Sequence, residues 1–393
     1  MKKIRVVLIS SMLPSGHYSQ FVANGLLEHK NIELIVYADK NENNLHIKNC
    51  GRIELVWPKS IGYIPSILNK LLKDRPDVVH LQHELNMYGG ILTAVFFPAL
   101  VLGMRCFVPC VITTIHSAPF KKYIDKSFVD LFHRNSILMR PFFIKLFFDY
   151  LYKFIALFSH GIIVHTHLTK QILMDDYNLT ASKIRVIPAG IPQKNIDNTH
   201  KRNYFLYFGY MARRKGLECV LGGYSRYIAN HPACDVKIIL AGGVIKGQEE
   251  AYAEIVEIIK RNSLEKKVIL RGFIEEFEQD ELYREAYAIL IPAIISMGSS
   301  GPLYHSASYG KAVICSKVGH FLEDIEDGKT GILVNNDNWE SAFDIAIKYP
   351  NLISRIESNV EVKARLRSPY ATTKKYIEMY AEVLPCNLNS PSF

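Results

Sequence analysis

Short runs of β-branched and other apolar residues recur along the chain, each followed by a longer stretch of helical periodicity. In the first half the pattern predicts strands at residues 4–10, 32–37, 53–57, 78–82, 110–116, 161–165 and 184–187. Most of these runs are apolar at successive positions, not alternate ones. That is the mark of parallel strands covered by helices on both faces. Residues 192–203 are almost wholly polar, begin with proline and read as a linker. Beyond them the alternation restarts, with strands at 204–208, 236–241, 268–273, 288–292, 312–316 and 332–334 and helices such as 217–229 and 249–262. Two doubly wound α/β halves are expected, with ligands at the carboxyl ends of the strands and in the cleft between the halves.

A chain of 393 residues that is 49% apolar and 22% charged suits two folded domains and excludes a disordered or fibrous protein. The net charge of +9 favours an anionic partner without choosing one, and no nucleic-acid recognition motif accompanies it. Seven scattered cysteines form no CxxC pair and read as thiols of a reducing cytoplasm. Lys2 and Lys3 precede an apolar run, but Arg5 interrupts it and residues 6–9 are too few for a signal peptide. Residues 85–104 carry no charge. Their continuously apolar part, 91–104, would reach only ~21 Å as a helix against ~30 Å of hydrocarbon, and Pro98 lies inside it, which argues against a membrane span. From Lys121 onward the chain is basic and aromatic. On a helix starting near Pro141, Lys145, Asp149 and Lys153 share one face, with Phe142, Phe143, Phe147, Phe154 and Ile155 around the rest. A buried helix, favoured for the C-terminal half, and a surface resting on an anionic leaflet are both compatible with residues 121–145.

The second half opens with YFLYFGYMARRKGLECVL, a strand, a turn at Gly209, three cations and then Gly216 leading into a helix. Arg213, Arg214 and Lys215 at a helix N-terminus oppose the macrodipole, and an anion such as a diphosphate would relieve the conflict. The plainer alternative is a solvated basic loop. A second candidate follows the strand ending at Pro292, where Gly298, Ser299, Ser300 and Gly301 lead into a helix with Pro302 in its first turn. Taken alone this is ordinary capping, but both features follow strand ends of one half. No GxGxxG follows the first strand, and Glu323 stands where a P-loop before Gly328 would need glycine. In the first half, His83, Glu84 and His116 lie at strand ends, where acid-base or acceptor-binding groups gather, although each histidine alone is more often structural. His80 and His83 fall on opposite faces of a strand, which speaks against a shared metal, and no metal site is expected.

These motifs together resemble the family 4 glycosyltransferases, over nearly the whole chain and most strongly at residues 204–334. FGYMARRKGLE, ILAGG, RGFIEE and YGKAVICSKVGHFLEDIEDGKTGILV resemble the donor half, and LQHELNMYGG, TTIHS and VIPAGIP the first half. The resemblance implies a GT-B fold of two facing Rossmann-like domains with parallel sheets and an interdomain cleft. It divides the chain into an acceptor domain at 1–195, a nucleotide-sugar domain at 203–366 and a C-terminal helix at 367–385 returning to the first. It implies that Lys215 and Arg213 or Arg214 hold the donor diphosphate and that His116 lies near the transferred sugar. Gly16 and His17, His83, Glu84, Gly243, Ile274, Ser299, Ser300, Gly301, His305 and Glu323 complete the expected substrate-binding set. Two glutamates usual in the family are Met297 and His305 here, and the arginine usual after the turn glycine is Tyr210. GSSG at 298–301 is similar to a subgroup that lacks the first glutamate.

The expected activity is that of a retaining, metal-independent glycosyltransferase without a cofactor. It would move a sugar from a nucleoside diphosphate sugar to a glycan or lipid-linked acceptor in polysaccharide assembly, in the cytoplasm, free or peripheral on the inner membrane face. A catalytically silent sugar-nucleotide-binding or scaffold protein is the alternative, suggested by the missing glutamate pair.

Overall fold

The computed structural model describes residues 3–12, 16–41, 51–131, 140–194, 203–244 and 249–384, without the side chains of Gly16, His17 and Glu276. The elements run β1 Ile4–Ile9, α1 Gly16–Leu27, β2 Ile32–Asp39, β3 Arg52–Trp57, α2 Tyr63–Asp74, β4 Val78–His83, α3 Ile91–Arg105, β5 Cys110–Ile115, α4 Lys126–Asp130, α5 Pro141–Phe158, β6 Gly161–Val164, α6 His167–Asp175 and β7 Ile184–Val186. They continue as β8 Tyr204–Phe208, α7 Leu217–Asn230, β9 Lys237–Ala241, α8 Glu249–Arg261, β10 Val268–Gly272, α9 Glu276–Glu285, β11 Ala286–Ile291, α10 Gly301–Ser308, β12 Val313–Ser316, α11 Phe321–Asp324, β13 Ile332–Val334, α12 Trp339–Lys348, α13 Pro350–Leu366 and α14 Pro369–Val383. Every strand expected from the apolar runs forms, within two residues at either end.

All the pairings are parallel. The first sheet has the order β3-β2-β1-β4-β5-β6-β7 and the second β10-β9-β8-β11-β12-β13. Each sheet grows one way from its first strand and then reverses, so β1 and β4 flank the switch point of one and β8 and β11 that of the other. Loops leaving the carboxyl ends of such a strand pair diverge to opposite faces and open a crevice.

The chain forms two compact units. One gathers Met1–Ile124, Pro141–Gly190 and Arg367–Phe393, the other Asp125–Arg140 and Ile191–Leu366. Within the span 1–195, which the sequence reading treats as one domain, α4 and its flanks thus count with the second unit. With a single buried residue, Phe128, α4 left no periodicity to read. Residues 132–139 of the basic stretch, and 195–202 of the linker, lie outside the described residues.

In the first unit α14 packs along α1, sinking Tyr376, Ile377 and Tyr380 into a core that includes Leu8, Phe21 and Ile112. Gly25 permits the approach, since a Cβ there would lie 2.6 Å from the Pro369 carbonyl oxygen. Right-handed crossovers put α3 and α5 side by side on the opposite face of this sheet, and the two helices are in contact. The second unit has its own core, in which Leu206, Ile239, Ile289 and Cys315 from four strands meet Tyr283, Leu303 and Tyr309.

Candidate active site

At the switch point of the second sheet three loops are bonded to one another. Gly209, following β8, donates its N–H to the Ala241 carbonyl at 2.9 Å, and Met211 donates to that of Gly243 at 3.1 Å. Gly242 has φ +137°, and a Cβ on it would stand 2.0 Å from the Gly209 oxygen, so the two chains touch backbone to backbone. A single 3₁₀ turn then holds Arg213, Arg214 and Lys215, and Gly216, left-handed at φ 63°, starts α7 without a side-chain cap. The Arg214 carbonyl accepts the N–H of Ile294, which follows β11, at 2.9 Å. Next along, Ala293 donates to Ser316 Oγ, and Asn336 Nδ2 donates to the Ala293 carbonyl. Ser296 in turn lies against Gly319, whose φ of +48° lets the loop after β12 pass close by, and 3.4 Å separates Ser296 Oγ from His320 Nδ1. Two features read separately in the sequence, the basic turn and the serine-glycine loop, are therefore fastened together.

Within this corner the cations differ. Arg213 turns away: Glu254 takes its guanidinium through Nε at 2.8 Å and Nη2 at 2.6 Å, and Glu250 adds a contact at 3.0 Å. These carboxylates on α8 raise its affinity for its proton further and already balance its charge. Lys215 has neither a carboxylate nor a hydrogen-bond partner for its ammonium among the described residues. Burial, with Arg214 beside it, lowers its pKa to about 8. An unneutralised ammonium in a partly dry site is a standing demand for an anion. The start of α10 matches it. Ser299 Oγ is buried without a partner among the described residues, Ser300 makes no side-chain cap, and open space surrounds the position of a Cβ on Gly301. Pro302 has no N–H, and Leu303 and Tyr304 donate to the Ser300 carbonyl at 3.0 and 3.3 Å, so in this first turn it is the N–H of Gly301 that remains for a ligand.

The other expected residues of this unit take several places. His305 sits among the rings of Phe208, Tyr283 and Tyr309, at centroid distances of 6.1, 4.8 and 5.2 Å. Gly243 is fixed by its backbone bond to Met211, and the Ile274 side chain belongs to the apolar core, which leaves only its main chain for a ligand. Glu323 is exposed on α11, one residue before the buried Asp324 that accepts from Tyr304. His320, which stands where the family usually has a second glycine, is wholly buried, and burial lowers its pKa to about 4.

In the first unit the carboxyl ends of β4 and β5 carry a buried polar chain. His116 Nε2 lies 2.8 Å from Gln82 Oε1, an acceptor, so Nε2 carries the proton and Nδ1 the lone pair. Gln82 Nε2 lies 3.1 Å from His80 Nε2, which also meets Thr114 Oγ1 at 2.7 Å, while His80 Nδ1 meets the Tyr380 hydroxyl at 2.6 Å. Burial and the neighbouring histidines hold His116 well below the ordinary histidine range, so it is neutral. His83 points to the opposite face, against Phe97 at 4.6 Å, and its buried Nδ1 has no partner among the described residues. Glu84 accepts from Ser117 Oγ at 3.0 Å. Gly16 and His17 open α1 after β1, but their side chains lie outside the described residues.

Sequence reasoning missed His165. Its ring is 5.1 Å from that of His116, and Tyr18 stands edge-on to His116 at 4.8 Å. His165 Nδ1 donates to the Ile187 carbonyl, which leaves Nε2 as a buried lone pair without a donor among the described residues. The signal was available in the register: Thr114 pairs with Ile163, so residues two further on, His116 and His165, emerge side by side.

Comparison with known proteins agrees with this fold. Residues 20–194 match the family model described as Glycosyltransferase Family 4, and residues 202–349 the model described as Glycosyl transferases group 1. No curated protein matches the chain by sequence. Among solved structures, Anabaena HepE in complex with UDP-glucose is 14% identical at a TM-score of 0.73, over 96% of this chain and 100% of that one. Sucrose-phosphate synthase from Thermosynechococcus elongatus gives 14% and 0.72 over 97% and 99%. The lipopolysaccharide outer core galactosyltransferase WaaB gives 14% and 0.63 over 96% and 100%. With two Rossmann-like parallel-sheet domains and a family match on each, the chain belongs to the family 4 and group 1 glycosyltransferases and is an enzyme of the GT-B fold.

Proposed function

We propose that this glycosyltransferase takes a nucleoside diphosphate sugar as donor and binds its diphosphate between Lys215, Arg214 and the start of α10. The observation that carries the proposal is the ammonium of Lys215, partnerless among the described residues, in a turn bonded to the loop that leads into α10. As the bond from the anomeric carbon to the diphosphate oxygen breaks, its electron pair passes to the diphosphate. The fixed N–H of Gly301 and the cations there stabilise the growing charge without reorganising. The acceptor hydroxyl attacks the same face, its oxygen bonds to the anomeric carbon, and its proton passes to the departing oxygen, so configuration is retained. His116, neutral and with Nδ1 as acceptor, serves to orient a sugar hydroxyl rather than to carry charge.

The acceptor is proposed to be a glycan or a lipid-linked saccharide of cell-surface polysaccharide assembly, a role in keeping with the similarity to WaaB. The free thiols at Cys106, Cys110, Cys219, Cys234 and Cys315 suit a reducing cytoplasm.

A thermal-shift screen over UDP-, GDP-, ADP- and CMP-sugars tests the donor, because a ligand that binds only the folded state raises its melting temperature. One nucleotide should stand out and be released as free diphosphate on turnover. A panel in which none stabilises the protein and none is released would refute the proposal.

A further inference from the structure

Residues 85–104, without a single charge, and the aromatic stretch after Pro141 are left unexplained by the donor chemistry. The structure puts both into one surface. Along α5 the outward positions are Phe142, Phe143, Leu146, Tyr150, Phe154 and Leu157, recurring every three or four residues, with Phe142 69% and Leu157 61% exposed. Phe148, Leu151, Tyr152 and Ile155 face inward, so the C-terminal half of α5 is buried on one side only, less than the largely buried helix expected. Alongside it, α3 turns out Ile91, Leu92, Phe96 and Leu102, with Leu92 59% exposed. The outer face of a helix on a sheet is ordinarily charged. Here two adjoining helices both present apolar rows, and among the described residues no helix is long and apolar enough to cross a membrane.

Charge at this surface is one-sided. Arg105 is the sole charged residue of α3, and α5 carries Lys145 and Lys153. The single acid of α5, Asp149, is held by Lys121 at 2.6 Å. Lys122, exposed nearby, lies over the rings of Phe120 and Tyr123. Aromatic and leucine rows with cations beside them, and no carboxylate on α3 or α5 but the paired Asp149, complement a bilayer whose headgroups are negative and whose interior is apolar.

We infer that the outer face of α3 and α5 lies on an anionic lipid bilayer, with the apolar rows among the acyl chains and Arg105, Lys122, Lys145 and Lys153 at the phosphates. This holds whatever the donor and acceptor turn out to be. Cosedimentation with vesicles of phosphatidylcholine alone, or enriched in phosphatidylglycerol, tests it. The full chain should pellet with the anionic vesicles, stay in solution with the neutral ones, and be released by salt. Replacing Phe142, Leu146 and Leu157 together by serine should lower partitioning at least tenfold while far-UV circular dichroism and melting temperature stay those of the parent. Replacing Arg105, Lys145 and Lys153 by glutamine should lower it about a hundredfold, the scale expected of three cations at an anionic surface. The inference is overturned if the parent chain pellets with neither vesicle or if the well-folded variants pellet as it does. It also fails if lipid-free sedimentation shows a dimer that the serine variant abolishes, since a second copy would then cover the face.

Discussion

Lys215→Met isolates the charge of one side chain with little change of length. Holding an ammonium whose pKa has fallen from 10.5 to about 8 costs, at about 1.4 kcal/mol per pH unit, roughly 3 kcal/mol at neutral pH. Solvent reaching the partly buried group reduces this to about 1–3 kcal/mol. The sign follows from proton counting. Between pH about 8 and the ordinary 10.5 the unfolded chain binds more protons at this site than the folded one. Stability therefore rises with pH across that window and is lowest below it. Methionine removes the penalty, so the variant should melt higher at pH 7, on the order of 5 °C for a domain of this size, and lose the rise above pH 8. Catalysis should move the other way. Losing a donor to the departing diphosphate costs about 100- to 1,000-fold in kcat. In the parent enzyme kcat/KM should fall as pH climbs through about 8, where the free ammonium loses its proton. Calorimetry with initial-rate measurement of nucleotide release checks both halves. A variant that melts lower than its parent, or that keeps its kcat within tenfold, refutes the reasoning.

Arg213→Ala should leave donor KM within about threefold and cost only ~0.5–1 kcal/mol in urea unfolding, because its carboxylate partners on α8 are themselves partly exposed. For His116→Ala a loss of about 100-fold in kcat/KM is expected from a displaced sugar. The parent's pH profile should show no acid limb near 6.5, since His116 is already neutral there. Gly242→Ala forces a side chain onto the Gly209 carbonyl at φ +137° and should destabilise the second unit by about 2–4 kcal/mol, measured by urea denaturation, with turnover lost in parallel.

The strands were legible because a parallel sheet buries both faces of each strand, and runs such as VVLIS and VICS have no polar alternation to hide them. Glycines at 209 and 216 likewise announced the basic turn, since each holds a positive φ. What the basic run could not reveal was direction. Three consecutive cations on a 3₁₀ turn point to three different sides, and whether Arg213 meets a phosphate or Glu254, forty-one residues on, depends on where α8 lands. His165 was hidden for a related reason: a histidine at a strand end acquires meaning only from the neighbouring strand's register. The resemblance implied only a C-terminal helix returning to the first domain, yet Tyr380 bonds the innermost histidine of the polar chain and Tyr376 packs edge-on to it at 5.1 Å.

That last helix sets the order in which the protein can be finished. The first sheet leaves the ribosome early, but the face of α1 that receives α14 stays open, and His80 lacks its tyrosines, until about 190 further residues have been made. Through that interval the nascent chain carries an unsealed apolar trough, a natural place for a chaperone to hold it. Chains released a few dozen residues short should then fail in the earlier-made half, far in sequence from the missing piece.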